Sequence, residues 1–292
     1  MKVLAIDGNS LLNRAYYGVM PLNAPDGTPT NALYGFINIL NKLKSEQAPD
    51  IVYVAQDLRA PTFRHKMYGE YKANRSGMPD GLAAQLPLYN EYLDLCGIVR
   101  YALEGYEADD LLGALGRLCE NAGHDCVIVT GDRDAFQLVS ERVSVLHVSS
   151  RMGRTETKLY TPEVIFETYG LTPAQLIDLK ALMGDKSDNI PGVAGVGEKT
   201  ALDLMRRFGN LETIYSSLDG LTPSLKAKLE NGAAYLSREL ARIDINAPIE
   251  LQDAAPPRDL TEFYKKLNFK KFLAAADLHR APREENEQLS LF

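Results

Sequence analysis

Three β-rich runs of this chain, VLAI, IVYVAQ and VIVTG, end in carboxylates: Asp7, Asp57, and Asp132 with Asp134. Helical patterns fall between and around them, near residues 30–45, 82–95 and 108–122. Strands alternating with helices make a mostly parallel sheet covered on both faces. In such a sheet the ligand crevice lies just beyond the carboxyl ends of the strands, so acids placed there converge. The expected fold class is α/β, a mostly parallel central sheet flanked by helices.

The pattern changes after the strand-like VSVLHVS and a polar stretch, RMGRTETK, that reads as a turn. From TPEVIFETYG onward it is nearly all helical, punctuated by Gly and Pro. The expected organisation is an α/β core over 1–160, a helical subdomain over 161–245, a proline-rich linker with C-terminal helices over 246–280, and a flexible tail over 281–292. With 292 residues and 45% apolar composition, the chain can bury a substantial core. MKVLAIDGN is too short a run for a signal peptide and no run of about 18 apolar residues occurs, so a cytoplasmic protein with no membrane partner is expected. Cys96, Cys119 and Cys126 form no CxxC pair, and the four histidines have no ligand-like spacing, so any metal should be held by oxygen.

EGYEADDLLGAL adds Glu107, Asp109 and Asp110 at a helix start, and MGDKSDNIPG adds Asp185 and Asp188. One Asp at a strand end is ordinarily a turn or cap residue, and EADD alone an ordinary helix N-terminus. Repetition at several strand ends favours a site. Clustered carboxylates raise one another's pKa unless a counter-charge is present, and a divalent cation supplies it. All-oxygen ligation by nine acids points to two Mg²⁺ ions, with Mn²⁺ able to substitute, a pair suited to phosphodiester hydrolysis. With those nine acids set aside, the formal charge of −7 becomes +2, so the acidic total does not exclude a nucleic acid.

VLAIDGNSLLNRAYY, AQDLRAPTFRHKMYGEYKANR, EGYEADDLL, VIVTGDRDAFQL and GDKSDNIPGVAGVGEKTA, in this order, resemble the 5′-nuclease domain of bacterial polymerase I and its stand-alone relatives, the bacterial 5′-3′ exonuclease and flap endonuclease family. The resemblance runs from residue 3 to about 280. It implies a PIN-like nuclease core with a helix-hairpin-helix subdomain, and a structure-specific, metal-dependent enzyme cutting near the junction of a 5′ single strand with a duplex. Its metal acids map onto Asp7, Asp57, Glu107, Asp109, Asp110, Asp132, Asp134, Asp185 and Asp188, none missing. A stand-alone nuclease is expected, since the chain stops before a polymerase domain could begin.

From Arg59 to Arg75, five basic residues (Arg59, Arg64, Lys66, Lys72, Arg75) face one acid, with Tyr68 and Tyr71 interleaved. A solvated helix face is the ordinary meaning of such a run. Directly after Asp57 it also suits a single-strand channel, cations following phosphates and rings stacking on unpaired bases. In the family this segment, here about 59–85, is an arch over the active site. The resemblance puts Tyr71, Lys72 and Arg75 nearest the scissile phosphate. GVAGVGEKTALDLMRRFG places glycines before a helix, where backbone amides approach phosphate closely. It resembles the family's helix-hairpin-helix, which grips duplex DNA and binds K⁺ in relatives, with Gly195, Gly197, Lys199 and Thr200 as contacts. Ala194 departs from relatives carrying Lys or Pro there, which puts one phosphate contact in question.

The terminal QLSLF reads either as a frayed end or as a linear motif on a tether. It resembles the bacterial sliding-clamp-binding pentapeptide, through Gln288, Leu289, Leu291 and Phe292. The expected function is therefore a 5′-nuclease on branched DNA, a monomer near the nucleoid that removes flaps and RNA primers during replication and repair. The competing readings are a PIN-type ribonuclease and a non-catalytic branched-DNA-binding factor.

Overall fold

A computed structural model describes residues 1–151 and 154–280. Its sheet is built from β1 (Lys2–Asp7), β2 (Ile51–Ala55), β3 (Val99–Tyr101), β4 (Asp125–Thr130), β5 (Val143–Arg151) and β6 (Arg154–Tyr160), in the order β3-β2-β1-β4-β5-β6. All neighbours are parallel except β5 and β6. Asp7 lies level with Ala55, and Ile6 with Val129, so β1, β2 and β4 end together. The acids that follow them emerge along one edge.

Helices α1 (Gly8–Gly18), α2 (Asn31–Gln47), α3 (Phe63–Met67), α4 (Asp80–Ala83), α5 (Leu86–Leu95) and α6 (Ala108–Asn121) belong to the sheet half. Strand alternation sends Leu4, Ile6, Val54 and Val129 to a core shared with α1, α2 and α5. Val3, Ala5, Tyr53 and Ile128 face the other way, onto α6. Helices α7 (Pro162–Tyr169), α8 (Gln175–Met183), α9 (Glu198–Phe208), α10 (Leu211–Ser216), α11 (Pro223–Glu230) and α12 (Ala234–Ala241) follow. Of these, α7 sends Ile165 into the sheet-side core, while α8 to α11 enclose a separate one around Leu182, Leu204 and Leu229. Helices α13 (Thr261–Lys266) and α14 (Lys270–Arg280) return Phe263, Phe269 and Phe272 to the first core. No helix among the described residues is long and apolar enough to cross a membrane.

Two local expectations are corrected. Of RMGRTETK, expected as a turn, Arg151 ends β5 and residues 154–158 belong to β6, paired antiparallel with β5 from Val145↔Tyr160 to Arg151↔Arg154. Its β-favouring Thr155, Thr157 and Tyr160 outweigh the polar composition that suggested a turn. Residues 246–258 are not a free linker either. They lie as a strap beside the sheet edge, where Tyr53 Oη donates to Gln252 O and Tyr101 Oη to Glu250 O, each at 2.8 Å, and Arg258 N donates to Leu95 O at 2.7 Å. At Gly97, φ is +68° and a Cβ would stand 1.9 Å from Ala255 O, so only glycine lets the strap close on this turn. Gly97→Ala is expected to cost about 2–4 kcal/mol, combining left-handed backbone strain with the clash. Urea unfolding checks the loss, and faster amide exchange confined to 246–258 shows that the strap is where it falls.

Candidate metal centre

The ends of β1, β2 and β4 and the start of α6 meet at a cleft of about 1940 Å³ lined by Asp7, Asp57, Glu107, Asp109, Asp132, Asp134 and Asp185. Asp7 caps α1 by accepting from Ser10 N at 2.9 Å and takes the Thr130 hydroxyl at 2.7 Å. Burial, with the charges of Asp57 and Asp132, still pushes it up to about 7. Asp57 accepts from Ala108 N at 2.8 Å, which ties β2 to the start of α6, and its pKa is also raised, by desolvation first. Asp132 accepts from Asp134 N at 2.9 Å and so shapes the turn after β4.

Asp109 is the most telling group. Its Oδ1 is fully buried with no hydrogen-bond partner. Burial, then the charges of Asp132, Asp7, Asp134 and Asp57, raises its pKa far above the carboxylate range. An orphaned carboxylate oxygen among four more carboxylates, with no His or Cys among them, fits a hard divalent cation held by oxygen. A second set joins across the cleft, where Asp134, Asp185 and Asp188 each offer an oxygen within 4.8 Å of the others. Burial pushes Asp134 up to about 6 despite the adjacent Lys180.

Lys180, on α8, was not among the residues read from the sequence. Its ammonium contacts Asp134 and bridges to Asp185 at 2.5 Å. Burial works against its charge, but Asp134 and Asp185 outweigh that and raise its pKa, while Asp185 is held low in return. The available signal was its place just before GDKSD, near the end of the helix that delivers those acids.

The segment after Asp57 folds onto the same acids. Lys72 donates to Glu107 at 2.8 Å, Arg75 pairs with Asp188, and Tyr71 Oη donates to Glu107 at 3.0 Å. Lys72 adopts φ +55°, a left-handed conformation costly for a residue with a side chain and characteristic of functional positions. Backbone bonds hold it there: Lys72 N donates to Asp188 O at 2.9 Å and Arg75 N to Lys72 O at 3.0 Å.

Three expectations change. Asp110 is not a metal ligand, because it is fully buried and saturated by Arg64 at 2.7 and 2.8 Å, by Glu107 N at 3.0 Å and by Asp244 N at 2.8 Å. Arg64 is accordingly not a DNA contact. Its guanidinium also donates to the carbonyls of Leu240 and Arg242, and although burial disfavours its charge, Asp110 and Glu107 raise its pKa. Tyr71 is buried against Ile190 and Leu240, so it positions Glu107 and has no free ring face for a base. Arg59 and Lys66 are exposed, as are Gly195, Gly197 and Lys199 at the hairpin before α9, with Thr200 half-buried. Gln288, Leu289, Leu291 and Phe292 lie outside the described residues.

Two family models cover most of the chain: "5′-3′ exonuclease, N-terminal resolvase-like domain" over 2–170 and "5′-3′ exonuclease, C-terminal SAM fold" over 171–262. DNA polymerase I of Caldicellulosiruptor bescii is 45% identical over 254 residues, covering 86% of this chain and 30% of that protein. For DNA polymerase I of Bacillus subtilis the figures are 40% over 297 residues, 99% and 34%. The chain thus spans about a third of the length of these relatives. Among solved structures, T5 5′-exonuclease with bound zinc superposes with a TM-score of 0.66 at 23% identity, covering 84% of this chain and 90% of that one. The catalytic core of Rad2 with DNA substrate gives 0.63 at 18%, covering 95% and 91%. Sheet, acid cluster and helical module match the two domains of this family. The chain belongs to the 5′-3′ exonuclease family, and neither competing reading is favoured.

The acid cluster sets a pH dependence. Asp7, at about 7 when folded against an ordinary 3.8, binds a proton in the folded state that the unfolded chain releases between those values. Stability contributed by that proton is present at low pH and lost as pH rises through about 7. In EDTA the melting temperature should therefore fall between about pH 4 and pH 7 and level off above that, and Mg²⁺ should restore it at about pH 8. A flat metal-free profile would show that the carboxylates are not mutually strained. Arg64→Met should destabilise the fold by about 3–5 kcal/mol, because it strands buried Asp110.

Proposed function

We propose that this chain is a structure-specific 5′-nuclease that hydrolyses phosphodiesters near the single-strand/duplex junction of branched DNA, removing 5′ flaps and RNA primers. The orphaned Asp109 oxygen among four carboxylates, flanked by cations of the arch, is the observation that carries it. The T5 flap endonuclease, solved as a pseudo-enzyme-product complex with DNA and metal ions, has the same fold (TM-score 0.66, 22% identity, covering 95% of this chain and 98% of that one).

Asp7, Asp57, Glu107, Asp109 and Asp132 would hold one Mg²⁺, and Asp134, Asp185 and Asp188 a second, with Mn²⁺ able to replace either. When bound, such ions activate water and stabilise the leaving oxygen. Lys72 and Arg75 supply donors where charge develops on the phosphate. Glu107 and Tyr71 hold Lys72 in place. Arg59 and Lys66 lie along the strand's path. The exposed hairpin of Gly195, Gly197, Lys199 and Thr200 takes the duplex backbone without reading bases. K⁺ bound at that hairpin would compete with Lys228, whose Nζ donates to Gly195 O at 3.2 Å. The tail QLSLF would dock Gln288, Leu289, Leu291 and Phe292 on the bacterial sliding clamp, raising the local enzyme concentration at junctions. The enzyme is taken to act as a cytoplasmic, nucleoid-associated monomer.

A 5′-labelled double-flap substrate tests the reading. EDTA and Asp132→Ala should abolish cleavage with flap binding retained, and Lys72→Ala should lower kcat by roughly 10²–10³-fold. Flap binding without cleavage in Mg²⁺ or Mn²⁺ would overturn it. Deleting residues 288–292 should remove clamp affinity and leave cleavage of isolated flaps intact.

A further inference from the structure

The turn that follows β4 carries a cation that the metal centre does not use. Arg133 stands between Asp132 and Asp134, is exposed, and lines the cleft. Lys72, Arg75 and Lys180 are each matched by an acid of the site. The Arg133 guanidinium has no hydrogen-bond or ion-pair partner among the described residues. Both of its neighbours in sequence are otherwise engaged, Asp132 with Asp134 N at 2.9 Å and Asp134 with Lys180.

The backbone beneath this side chain is fixed along the whole turn. Gly131 N donates to Ser10 Oγ at 3.0 Å, and His147 Nε2 meets Gly131 O at 3.1 Å. Asp132 N donates to Thr130 Oγ1 at 3.0 Å, and Phe136 N to Arg133 O at 3.0 Å. Phe136 is buried and stacks on Tyr160 of β6 with ring centroids 4.0 Å apart. A charge carried on so rigid a base is placed before any ligand arrives, which lowers the ordering cost of binding.

The surroundings of Arg133 give it a direction. Tyr169, at the end of α7, packs against both the sheet-side core and the subdomain core. Burial pushes its hydroxyl pKa up, Arg133 draws it down, and Glu198, the first residue of α9, pushes it up again. Tyr169 therefore stands within the field of both Arg133 and the start of α9, which places Arg133 on the side of the cleft toward the glycine hairpin. An exposed arginine is ordinarily a solvated one. Here it stands where a backbone gripped by the hairpin and entering the metal centre has to cross, and a guanidinium is the side chain best shaped to take a phosphate.

We infer that Arg133 holds one backbone phosphate of the duplex, lying between the scissile phosphate and those that meet the hairpin. The inference rests on the nuclease reading, which it deepens by giving the residue between two metal acids a substrate contact of its own. Holding the duplex at that point fixes how far the strand advances into the metal centre, so the contact governs where the cut falls as well as how tightly the substrate binds.

Double-flap substrates carrying one neutral methylphosphonate linkage, moved step by step through duplex and flap, test this on the full-length protein. Binding is read by anisotropy in EDTA, and the position of the cut in Mg²⁺. A single duplex linkage should weaken Kd roughly tenfold when neutralised. Arg133→Gln should weaken unmodified DNA by a similar factor, lower the slope of log Kd against log salt by about 1, and add nothing at that linkage. It should also spread the cut over neighbouring positions, while the Mg²⁺ concentration for half-maximal cleavage at saturating DNA stays that of the wild type. Arg133→Lys should recover most of the salt slope. A penalty that falls in the flap, penalties that simply add, or a raised Mg²⁺ requirement with binding intact would overturn the inference. Wild-type cleavage with no effect of Arg133→Gln leaves the nuclease reading standing without it, and failure of the wild type to bind branched DNA removes both.

Discussion

Mutual repulsion among carboxylates crowded into one cleft is the constraint on which the rest of this structure depends. The parallel register sets Asp7, Asp57 and Asp132 along one sheet edge, and α6 adds Asp109 to the same space. Burial magnifies the conflict, since charge is poorly screened there. The protein answers with cations brought from elements distant in sequence: Lys72 and Arg75 from the segment after β2, and Lys180 from α8. Each cation that reaches the cleft also fixes the element that carries it. The arch segment and the helical subdomain are thus held to the sheet partly by the charge that the site has to carry.

The loop 186–190 shows how closely these parts are joined. Lys72 N bonds Asp188 O, Asn74 bonds Lys186 O at 2.7 Å, and Asn189 returns a bond to Glu70 O at 2.7 Å. Lys72 and Asn189, at φ +55° and +56°, both hold left-handed backbone at this junction. The glycine hairpin begins two residues further on, at Gly192. The segment after β2 and the glycine hairpin are therefore joined through a single, cross-braced loop. Its strained positions persist because bonds from both sides over-determine them.

Much of this was legible in the sequence because it follows from periodicity. Apolar runs ending in acids specify a parallel sheet and the edge where its acids meet, and the glycines before α9 specify a hairpin. What was not legible depends on rotation and partners. Asp109 and Asp110 are adjacent on α6, about 100° apart around the helix, so they cannot both face the strand ends. Asp109 takes the cleft and Asp110 turns inward to cap its own helix and bind Arg64. EADD carries no mark of which does which. Arg64 was misread for the same reason, since its partners lie 46 and 176 residues away in the chain. The strap at 246–258 looked like a linker because backbone carbonyls, invisible to residue type, make its contacts.

Burial then separates the cations of this segment into two kinds. The Arg64 side chain is 3% exposed and its ion pair with Asp110 is enclosed, so removing either partner strands a buried charge. Lys72 is 19% exposed and Arg75 47%, each paired with an acid that is itself part of the cleft. Both pairs open onto the cleft, so on the nuclease reading each cation would exchange its carboxylate for a phosphate there. Neutralising the acids by another route makes that exchange easier still, because Glu107 and Asp188 then hold their cations less strongly. On the proposed function, metal occupancy and phosphate capture would in this way be thermodynamically linked, each reducing the competition faced by the other. Arg64, Lys72 and Arg75 therefore divide between scaffold and cleft according to depth, and the depth is set by which carboxylate each one meets.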